Sequence, residues 1–223
     1  RREAPAPGPV RHDGDGGQRD TTVTITVQGS NDRPVFLGGG VGFGVETVGA
    51  TGSTDLQTAS GTLLFGDADR DDVGHTAQVA YSGATGTTAG LDASRIEGAL
   101  ALGSVAKAAN SVSGTIGWTF AAEDGAFDYL GAGEAVVLAY TVTVDDNEGQ
   151  GANSTDTTTI LITIIGTNDR PVIVTGDQTR SLTEYASTTG SEAPLQTATG
   201  SFDFTDVDLT DGHSTGASLT GAV

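Results

Sequence analysis

The chain has 223 residues, of which 10 are lysine or arginine and 29 are aspartate or glutamate, so the formal net charge is −19. This charge excludes nucleic-acid phosphates and anionic membrane surfaces as partners, because both would repel the protein, and it favours the binding of cations. Cysteine is absent, which excludes disulfides and thiolate metal sites, and the 34 glycines indicate strands and turns rather than helices.

The start of the chain is expected to contain little regular structure. Its opening stretch, RREAPAPGPVRHDGDGG, is rich in proline and glycine, so residues 1–20 are predicted to be irregular. A strand rich in Thr and Val then leads into the heptapeptide GSNDRPV, which ends at Val35. No apolar run approaches the roughly 20 residues that a membrane span requires, so we expect no membrane span in this sequence.

The sequence contains an internal repeat. The segment VTITVQGSNDRPV at Val23–Val35 corresponds to ILITIIGTNDRPV at Ile160–Val172, at an offset of 137 residues. The segment Leu56–Thr76 corresponds to Leu195–Thr215 at an offset of 139 residues. Ordered matches of this length predict that the chain is built from tandem copies of one structural unit.

The order of the matches also fixes the unit boundaries. Residues 1–33 are predicted to be the C-terminal tail of a preceding repeat, and residues 34–170 to form one complete repeat. Residues 171–223 are predicted to be the N-terminal part of a following, truncated repeat. Only the middle unit is therefore expected to close a hydrophobic core of its own.

Alternation of apolar and polar residues predicts about seven short strands in the middle unit. The residues expected to face inward are, in chain order, Leu63, Phe65, Val79, Tyr81, Leu100, Leu102, Ile116, Trp118, Phe120, Val136, Leu138, Tyr140, Val142, Val144, Ile160, Ile162 and Ile164. Turns rich in Gly, Asn and Asp separate the strands, which is typical of an antiparallel β-sandwich. On this interpretation Trp118 and Tyr140 are core residues rather than a surface on which a sugar stacks.

Acidic residues gather in a few loops. These are GDADRDD after the second strand, AEDG before the penultimate strand, VDDNEG before the last strand, and the Asn-Asp pair of each heptapeptide. Carboxylates this close together repel one another unless a cation lies among them. Oxygen ligands favour a hard ion, and calcium accepts six to eight of them in loose geometry, whereas magnesium requires an octahedron. The loops therefore predict calcium binding; the alternative is a solvated acidic surface that aids solubility.

The sandwich topology predicts which acids meet. The segment that enters a unit, the loop after its second strand and the loop before its last strand lie at one end. The candidate ligands at this top end are Asn31, Asp32, Asp67, Asp69 and Asp146, with Asp145 in the same loop. The candidate ligands at the bottom end, where the chain leaves the unit and starts the next, are Glu46, Glu123, Asp124, Asn168, Asp169, Asp206 and Asp208. Each joint between units is thus predicted to be a shared calcium site.

Three segments in combination resemble a known family. They are GTNDRPV after a strand of Thr and Ile, SGTLLFGDAD followed by a histidine, and WTFAAEDGAFDYLGAGEAVVLAYTVTVDD in the middle unit. Together they resemble the VCBS and cadherin-like repeats of large bacterial surface adhesins, and the resemblance covers nearly everything after residue 12. It implies a calcium-stabilised, immunoglobulin-like module, repeated in tandem in a secreted protein that serves cell adhesion or biofilm formation.

A more distant similarity is to cadherin linkers, in which a D-x-N-D-N joint binds calcium together with a D-x-D from the next domain. It supports two ligand sets: Asn31 and Asp32 with Asp67 and Asp69, and Asn168 and Asp169 with Asp206 and Asp208. The sequence departs from that pattern, because arginine follows each Asn-Asp pair and glycine stands two residues before it. These departures imply fewer ions per joint, or weaker binding.

We expect a structural rather than a catalytic role. The sequence contains neither a G-x-S-x-G nor an H-E-x-x-H motif, and neighbouring carboxylates such as Glu123 and Asp124 point apart rather than across a sugar. The expected protein is a monomeric spacer at the bacterial surface or outside the cell, whose partners are adjacent repeats, with surface or matrix ligands bound elsewhere in a longer protein. The alternatives are an adhesive module that binds carbohydrate or protein, and an accessory module of a secreted hydrolase.

Overall fold

The computed structural model describes residues 11–12, 18–19, 22–149, 153–183, 186, 195–218 and 220. Its strands are β1 (Arg11–His12), β2 (Gln18–Arg19), β3 (Val35–Phe36), β4 (Gly40–Val45), β5 (Leu56–Gly66), β6 (Thr76–Gly86), β7 (Leu100–Ala106), β8 (Ser113–Glu123), β9 (Ala135–Asp145), β10 (Thr155–Ile165), β11 (Val172–Ile173) and β12 (Phe204–Thr205). Two short 3-10 turns span Ala93–Arg95 and Asp124–Ala126. In this part of the chain, no helix has the length and apolar character to cross a membrane.

Strands β3 to β10 form two four-stranded sheets. One has the order β3-β5-β8-β7 and is antiparallel throughout; the other has the order β4-β10-β9-β6, in which only the β4–β10 pair is parallel. Lettered in chain order, these are A-B-E-D and A′-G-F-C, an immunoglobulin-like arrangement whose first strand is divided between the sheets. The predicted all-β, antiparallel, immunoglobulin-like sandwich is confirmed, whereas its tandem repetition stays a prediction.

The core lies between the sheets and is built by the strand faces that alternation predicts. The alternate residues of β9 from Val136 to Val144 and of β10 from Ile160 to Ile164 are at most 1% exposed. Trp118 and Tyr140 are buried among them, so their prediction as core residues is confirmed. The Tyr140 hydroxyl donates to the main-chain oxygen of Ile96 at 2.7 Å, which satisfies its one polar group inside the core.

The divided first strand determines where one acidic residue lies. Because β4 runs parallel to β10, both strands end at the same edge, where Val45 pairs with Ile165. The amide of the next residue, Glu46, donates to the Ile165 oxygen at 2.9 Å. The amide of Thr167 in turn donates to Oε2 of Glu46 at 2.9 Å. The acid that follows β4 therefore lies against the segment that leaves the sandwich.

Two stretches near the start differ from the sequence expectation. The expected strand over residues 23–27 does not form, and Val23, Ile25 and Val27 are exposed. A strand needs partners: the matching strand β10 pairs with β9 and β4, whereas no described residue pairs with 23–27. Within residues 1–20, expected to be irregular, β1 and β2 form a short antiparallel pair; residues 1–10, 13–17 and 20 lie outside the described part.

Candidate metal centre

The acidic side chains lie at the two opposite ends of the sandwich. At one end β5 and β9 finish and β8 and β10 begin, whereas at the other end β4, β8 and β10 finish. The top cluster consists of Asn31, Asp32, Asp67, Asp69, Asp72 and Asp146. The bottom cluster consists of Glu46, Asp124, Asp128, Asp169 and Asp208.

In the top cluster, hydrogen bonds tie the incoming segment to both sheets. The amide of Asp32 donates to Oδ2 of Asp69 at 2.6 Å, and the amide of Asp69 donates to Oδ1 of Asp67 at 2.8 Å. The Asn31 side-chain nitrogen donates to Oδ2 of Asp146 at 3.1 Å, and Asp146 is itself buried. Asn31, Asp32, Asp67, Asp69 and Asp146 are therefore brought together, as the topology predicts.

The top cluster contains a close group of three carboxylates. One oxygen each from Asp67, Asp69 and Asp72 lies within 4.8 Å of the other two. Burial raises the pKa of Asp72 above its ordinary value, and the charges of Asp69 and Asp67 raise it further. The Oδ2 atom of Asp72 is buried and accepts no hydrogen bond from the described residues. This group has the spacing and the donor atoms of a cation site.

A buried histidine holds one of these carboxylates in place. His75 Nε2 lies 2.7 Å from Oδ2 of Asp67, and both side chains are wholly inaccessible to solvent. The ring packs on Phe65 with centroids 5.3 Å apart, which fixes its orientation. Since Oδ1 of Asp67 accepts the Asp69 amide, both oxygens of this carboxylate have protein partners.

The bottom cluster is more deeply buried. Glu46, Asp124, Asp169 and Asp208 are each at most 3% exposed. Oδ1 of Asp124 accepts from the Thr47 amide at 3.1 Å and from Nε2 of Gln57 at 2.7 Å, so Asp124 links the loop after β4 to β5. One oxygen from each of Glu46, Asp128 and Asp169 lies within 4.8 Å of the other two. Three segments of the chain therefore direct carboxylates at one point.

Several of these buried oxygens lack a hydrogen-bond partner among the described residues. They are Oε1 of Glu46, Oδ2 of Asp124, Oδ1 of Asp128, both oxygens of Asp169 and Oδ1 of Asp208. Buried polar atoms in native proteins are almost always satisfied, and an unpaired buried charge costs several kcal/mol. Six such oxygens at one end of the molecule indicate a group that the described residues do not supply.

The raised pKa values of the buried acids in the bottom cluster also indicate that their negative charges are not compensated. Burial raises the pKa of Glu46 to about 8, and the charges of Asp169, Asp128 and Asp124 add to the shift. Burial likewise raises the pKa of Asp169, which nearby Thr51 offsets only in part, and burial raises the pKa of Asp208. Without a cation, the uptake of protons by these groups is favoured, because their ionised forms are poorly solvated and repel one another.

The local structure of the top cluster recurs after β10. The amide of Asp169 donates to Oδ2 of Asp208 at 2.8 Å, and the Asp208 amide donates to Oδ1 of Asp206 at 3.2 Å. His213 Nε2 lies 2.8 Å from Oδ2 of Asp206, and its ring packs on Phe204 with centroids 4.8 Å apart. Each of these contacts has its counterpart in the top cluster, among Asp32, Asp69, Asp67, His75 and Phe65. The matched sequences therefore adopt the same local structure.

Four of the residues predicted from sequence are members of neither cluster. Glu123 is exposed and pairs with Arg95 at 3.1 Å, because its side chain leaves β8 on the face away from the core. Asp145 accepts the amide of Asn147 at 2.8 Å as part of a turn. The third, Asp206, accepts from the Asp208 amide and lies 2.8 Å from Nε2 of His213, the same two contacts that Asp67 makes in the top cluster. The fourth, Asn168, donates its side-chain amide to the main-chain oxygen of Asp169.

Two members of the clusters were not among the residues predicted from sequence. Asp72 closes the run GDADRDD, and the 3-residue spacing from Asp69 would have indicated it, since the amide of Asp72 donates to the Asp69 oxygen in a turn. Asp128 follows the 3-10 turn that begins at Asp124, and that turn carries its side chain back to the amide of Gly52 at 2.6 Å. No pattern in the sequence predicts that turn, which explains the omission.

The segment after β12 also contacts the sandwich directly. The amide of Leu209 donates to the main-chain oxygen of Tyr129 at 3.4 Å. Gly90, with φ of +98°, lies between the two residues, because an added Cβ would lie 2.8 Å from Cδ1 of Leu209 and 2.9 Å from Cβ of Tyr129. The loop that carries Asp208 is therefore seated against the same end of the sandwich as Asp128 and Asp124.

Comparisons with known proteins identify no family. No protein-family model and no curated protein matches the chain. Among solved structures, zebrafish RET cadherin-like domains 1 to 4 share 14% identity over 70% of this chain and 32% of that chain, with a TM-score of 0.32. The ASH/PapD-like domain (PapD-like domain 7) of human CEP192 shares 9% identity over 65% of this chain and 92% of that chain, with a TM-score of 0.35. This chain spans about a third of the RET structure, and the fold assignment rests on strand order alone.

Proposed function

We propose that this protein is a calcium-stabilised structural module, a spacer that joins neighbouring β-sandwich units into a stiff array. The single observation that carries the proposal is the set of buried carboxylate oxygens in the bottom cluster that have no hydrogen-bond partner in the described part of the chain. They lie at the boundary that the sequence repeat predicts between two units. When its carboxylates are ionised, a boundary built from charge of one sign is held closed by a cation bound among them.

Calcium fits this donor set best among the common metal ions. The unpartnered atoms of the bottom cluster are carboxylate oxygens, and the hydroxyl oxygen of Thr167 beside Glu46 is likewise without a partner among the described residues. Calcium takes six to eight oxygen ligands at irregular angles. Zinc and copper favour imidazole and thiolate, but the chain lacks cysteine, and His75 and His213 are both bonded to aspartates. Magnesium binds through one or two carboxylates and keeps several waters, which a cluster of five acids does not match.

The origin of the ligands explains the proposed stiffening. Glu46, Asp124 and Asp128 belong to the sandwich, Asp169 to the connecting segment, and Asp208 to the segment that follows. An ion shared among these groups ties three parts of the chain together. Removing it leaves carboxylates that repel one another and a connection that bends more freely.

The proposed stabilisation is modest for each ion and accumulates along an array. Calcium modules outside the cell commonly have Kd values of about 0.1 to 1 mM. At a calcium concentration about ten times Kd, one site adds about 1.4 kcal/mol to the free energy of unfolding. A module that depends on calcium in this range is suited to an extracellular or cell-surface protein. We therefore propose secretion and a role in adhesion or biofilm formation, without catalysis.

Small-angle scattering and thermal melting of the chain, with calcium and with chelator, test this proposal. Calcium is expected to raise the melting temperature and to narrow the distribution of distances between residues 34–170 and the segment after residue 171. Asp177→Asn is a matched control, because Asp177 is exposed and belongs to neither cluster. Identical melting and scattering curves in calcium and in chelator would refute the proposed function.

A further inference from the structure

The single lysine of the chain, Lys107, is bonded to the backbone of the top cluster. It is half-buried in the turn between β7 and β8. Its Nζ donates to the main-chain oxygen of Asp69 at 2.8 Å and to that of Asp72 at 2.7 Å. Hydrogen bonds from an ammonium group are charge-assisted and roughly twice as strong as neutral ones. The only ammonium side chain therefore closes the loop that carries three candidate ligands.

The rest of the same turn holds this loop as well. The amide of Asn110 donates to the main-chain oxygen of Arg70 at 2.8 Å, and Asn110 adopts a left-handed conformation with φ of +66° to do so. The amide of Asp67 donates to the main-chain oxygen of Val112 at 3.0 Å. Together with Lys107, these bonds fasten both ends and the middle of the acidic loop to the turn.

The ammonium leaves the carboxylates free for another ligand. It is bonded to main-chain oxygens, so Asp69 and Asp72 keep their side-chain oxygens for the incoming segment and for a cation. Its charge also lies beside a group of carboxylates that would otherwise repel one another, and it lowers the pKa of Asp72 against the effects of burial and of Asp69. This is how a tethered cation organises a ligand loop without occupying the ligand positions.

The bottom cluster has no such cation in the described part of the chain. No lysine or arginine there donates to Glu46, Asp124, Asp128, Asp169 or Asp208; the two arginine ion pairs are Arg33 with Asp156 and Arg95 with Glu123. The two ends of the sandwich therefore differ. The top loop carries its own counter-charge, and the bottom cluster does not.

We propose that Lys107 is a positioning residue, which holds the Asp67–Asp72 loop in its ligand-presenting form in the absence of metal. The part of this inference that concerns calcium affinity rests on the proposed function, whereas the part that concerns the metal-free loop does not. The top of the module is accordingly prearranged for the incoming segment, and the order of the bottom depends on calcium.

Amine acetylation of the wild-type chain in chelator tests the metal-free part. Because Lys107 is the only lysine, mass spectrometry follows its side chain without ambiguity. Two charge-assisted hydrogen bonds should slow its acetylation at least about tenfold relative to the same chain unfolded in urea. Equal rates in the folded, chelated protein and in urea would overturn the proposal, whether or not the chain binds calcium.

Calcium titration of Lys107→Met, Lys107→Arg and Arg70→Met tests the role of Lys107 as distinct from its charge. Arg70 lies exposed in the same loop, so Arg70→Met removes the same charge without touching the lysine bonds. If the lysine acted only by repelling a bound cation, both Met variants would bind calcium more tightly. A positioning role predicts instead that Lys107→Met weakens binding about tenfold, that Arg70→Met does not weaken it, and that Lys107→Arg falls between Lys107→Met and wild type.

Hydrogen exchange of the Asp69–Asp72 amides in chelator covers the case in which no variant binds calcium. The proposal expects these amides to exchange faster in Lys107→Met than in wild type and Arg70→Met, with the amides of β9 unchanged as evidence of an intact fold. Equal exchange of the loop in Lys107→Met and Arg70→Met would overturn it. Absence of calcium binding by the wild type would refute the proposed function alone.

Discussion

The amide of Asp169 donates to Oδ2 of Asp208 at 2.8 Å, while both carboxylate oxygens of Asp169 and Oδ1 of Asp208 accept no hydrogen bond from any residue that the structure describes. One residue belongs to the connecting segment and the other to the segment after β12. The backbone bond fixes the two carboxylates close together, and burial prevents water from separating their charges. Two ionised carboxylates held this close repel each other, and a shared proton or cation relieves that repulsion.

Asp169→Asn is expected to shift stability in opposite directions with and without calcium. The substitution keeps the backbone bond to Asp208 but removes one negative charge from the cluster. In chelator the melting temperature should rise, because repulsion and the burial of a charge are relieved. In calcium it should fall, because a ligand is lost. Melting curves under both conditions check this, and a shift of the same sign in both would contradict it.

Asp128→Asn should weaken calcium binding, and Asp145→Asn should not. Asp128 offers one oxygen within 4.8 Å of oxygens of Glu46 and Asp169, and its Oδ1 has no partner among the described residues. Asp145 instead accepts a hydrogen bond within its own turn. Loss of a charged ligand from such a site is expected to weaken affinity about tenfold. Isothermal titration of the two variants makes the comparison. Equal affinities would show that Asp128 is not a ligand.

The stability of the calcium-free protein should fall as pH rises from about 4.5 to about 8. In the folded chain the pKa of Glu46 is raised from 4.5 to about 8, and those of Asp169 and Asp208 are also raised. The folded state then binds more protons than the unfolded state. The contribution of Glu46 to the free energy of unfolding is therefore complete below its unfolded pKa of 4.5 and is lost as the pH rises through its folded pKa of about 8.

Denaturant unfolding in chelator at about pH 5 and about pH 8 measures this dependence. Glu46→Gln should flatten it, because the variant has no titrating group at that position. Saturating calcium should also reduce it, since the ion replaces the protons. A free energy of unfolding that rises across this interval in chelator would contradict the raised pKa of Glu46.

Tyr140→Phe should destabilise the sandwich equally with and without calcium. The substitution removes the hydroxyl that donates to Ile96 at 2.7 Å and leaves a buried carbonyl without its partner. We expect the free energy of unfolding to fall by about 1 to 2 kcal/mol. Calcium affinity should not change, because Tyr140 lies in the core between the sheets. A calcium-dependent loss would indicate that the core and the clusters are coupled.

Much of the fold follows from periodicity that a single sequence already contains. The alternation from Val136 to Val144 commits five side chains to one face of a strand, and only burial of that face stabilises it. The matched heptapeptides similarly predict a common local structure, which recurs as the amide bonds of Asp32 to Asp69 and of Asp169 to Asp208. In the first case a local pattern is sufficient, because alternate residues of a strand share a face. In the second case the bonds join residues 37 and 39 positions apart, and the sequence predicts their recurrence only because both matched segments recur in the same order.

The sequence by itself determined the β-sandwich class, the repeated joint and most of the acidic residues near it. Only the tertiary structure decided which carboxylates are buried and lie close together. The 3-10 turn after β8 brings Asp128 into the bottom cluster, whereas pairing with Arg95 keeps Glu123 out of it. Neighbouring residues on a strand face opposite sides, so proximity in sequence does not predict proximity at a site. Burial and partnership depend on segments more than a hundred residues apart, as Glu46 and Thr167 show, and these distances are set by the packing of the sheets.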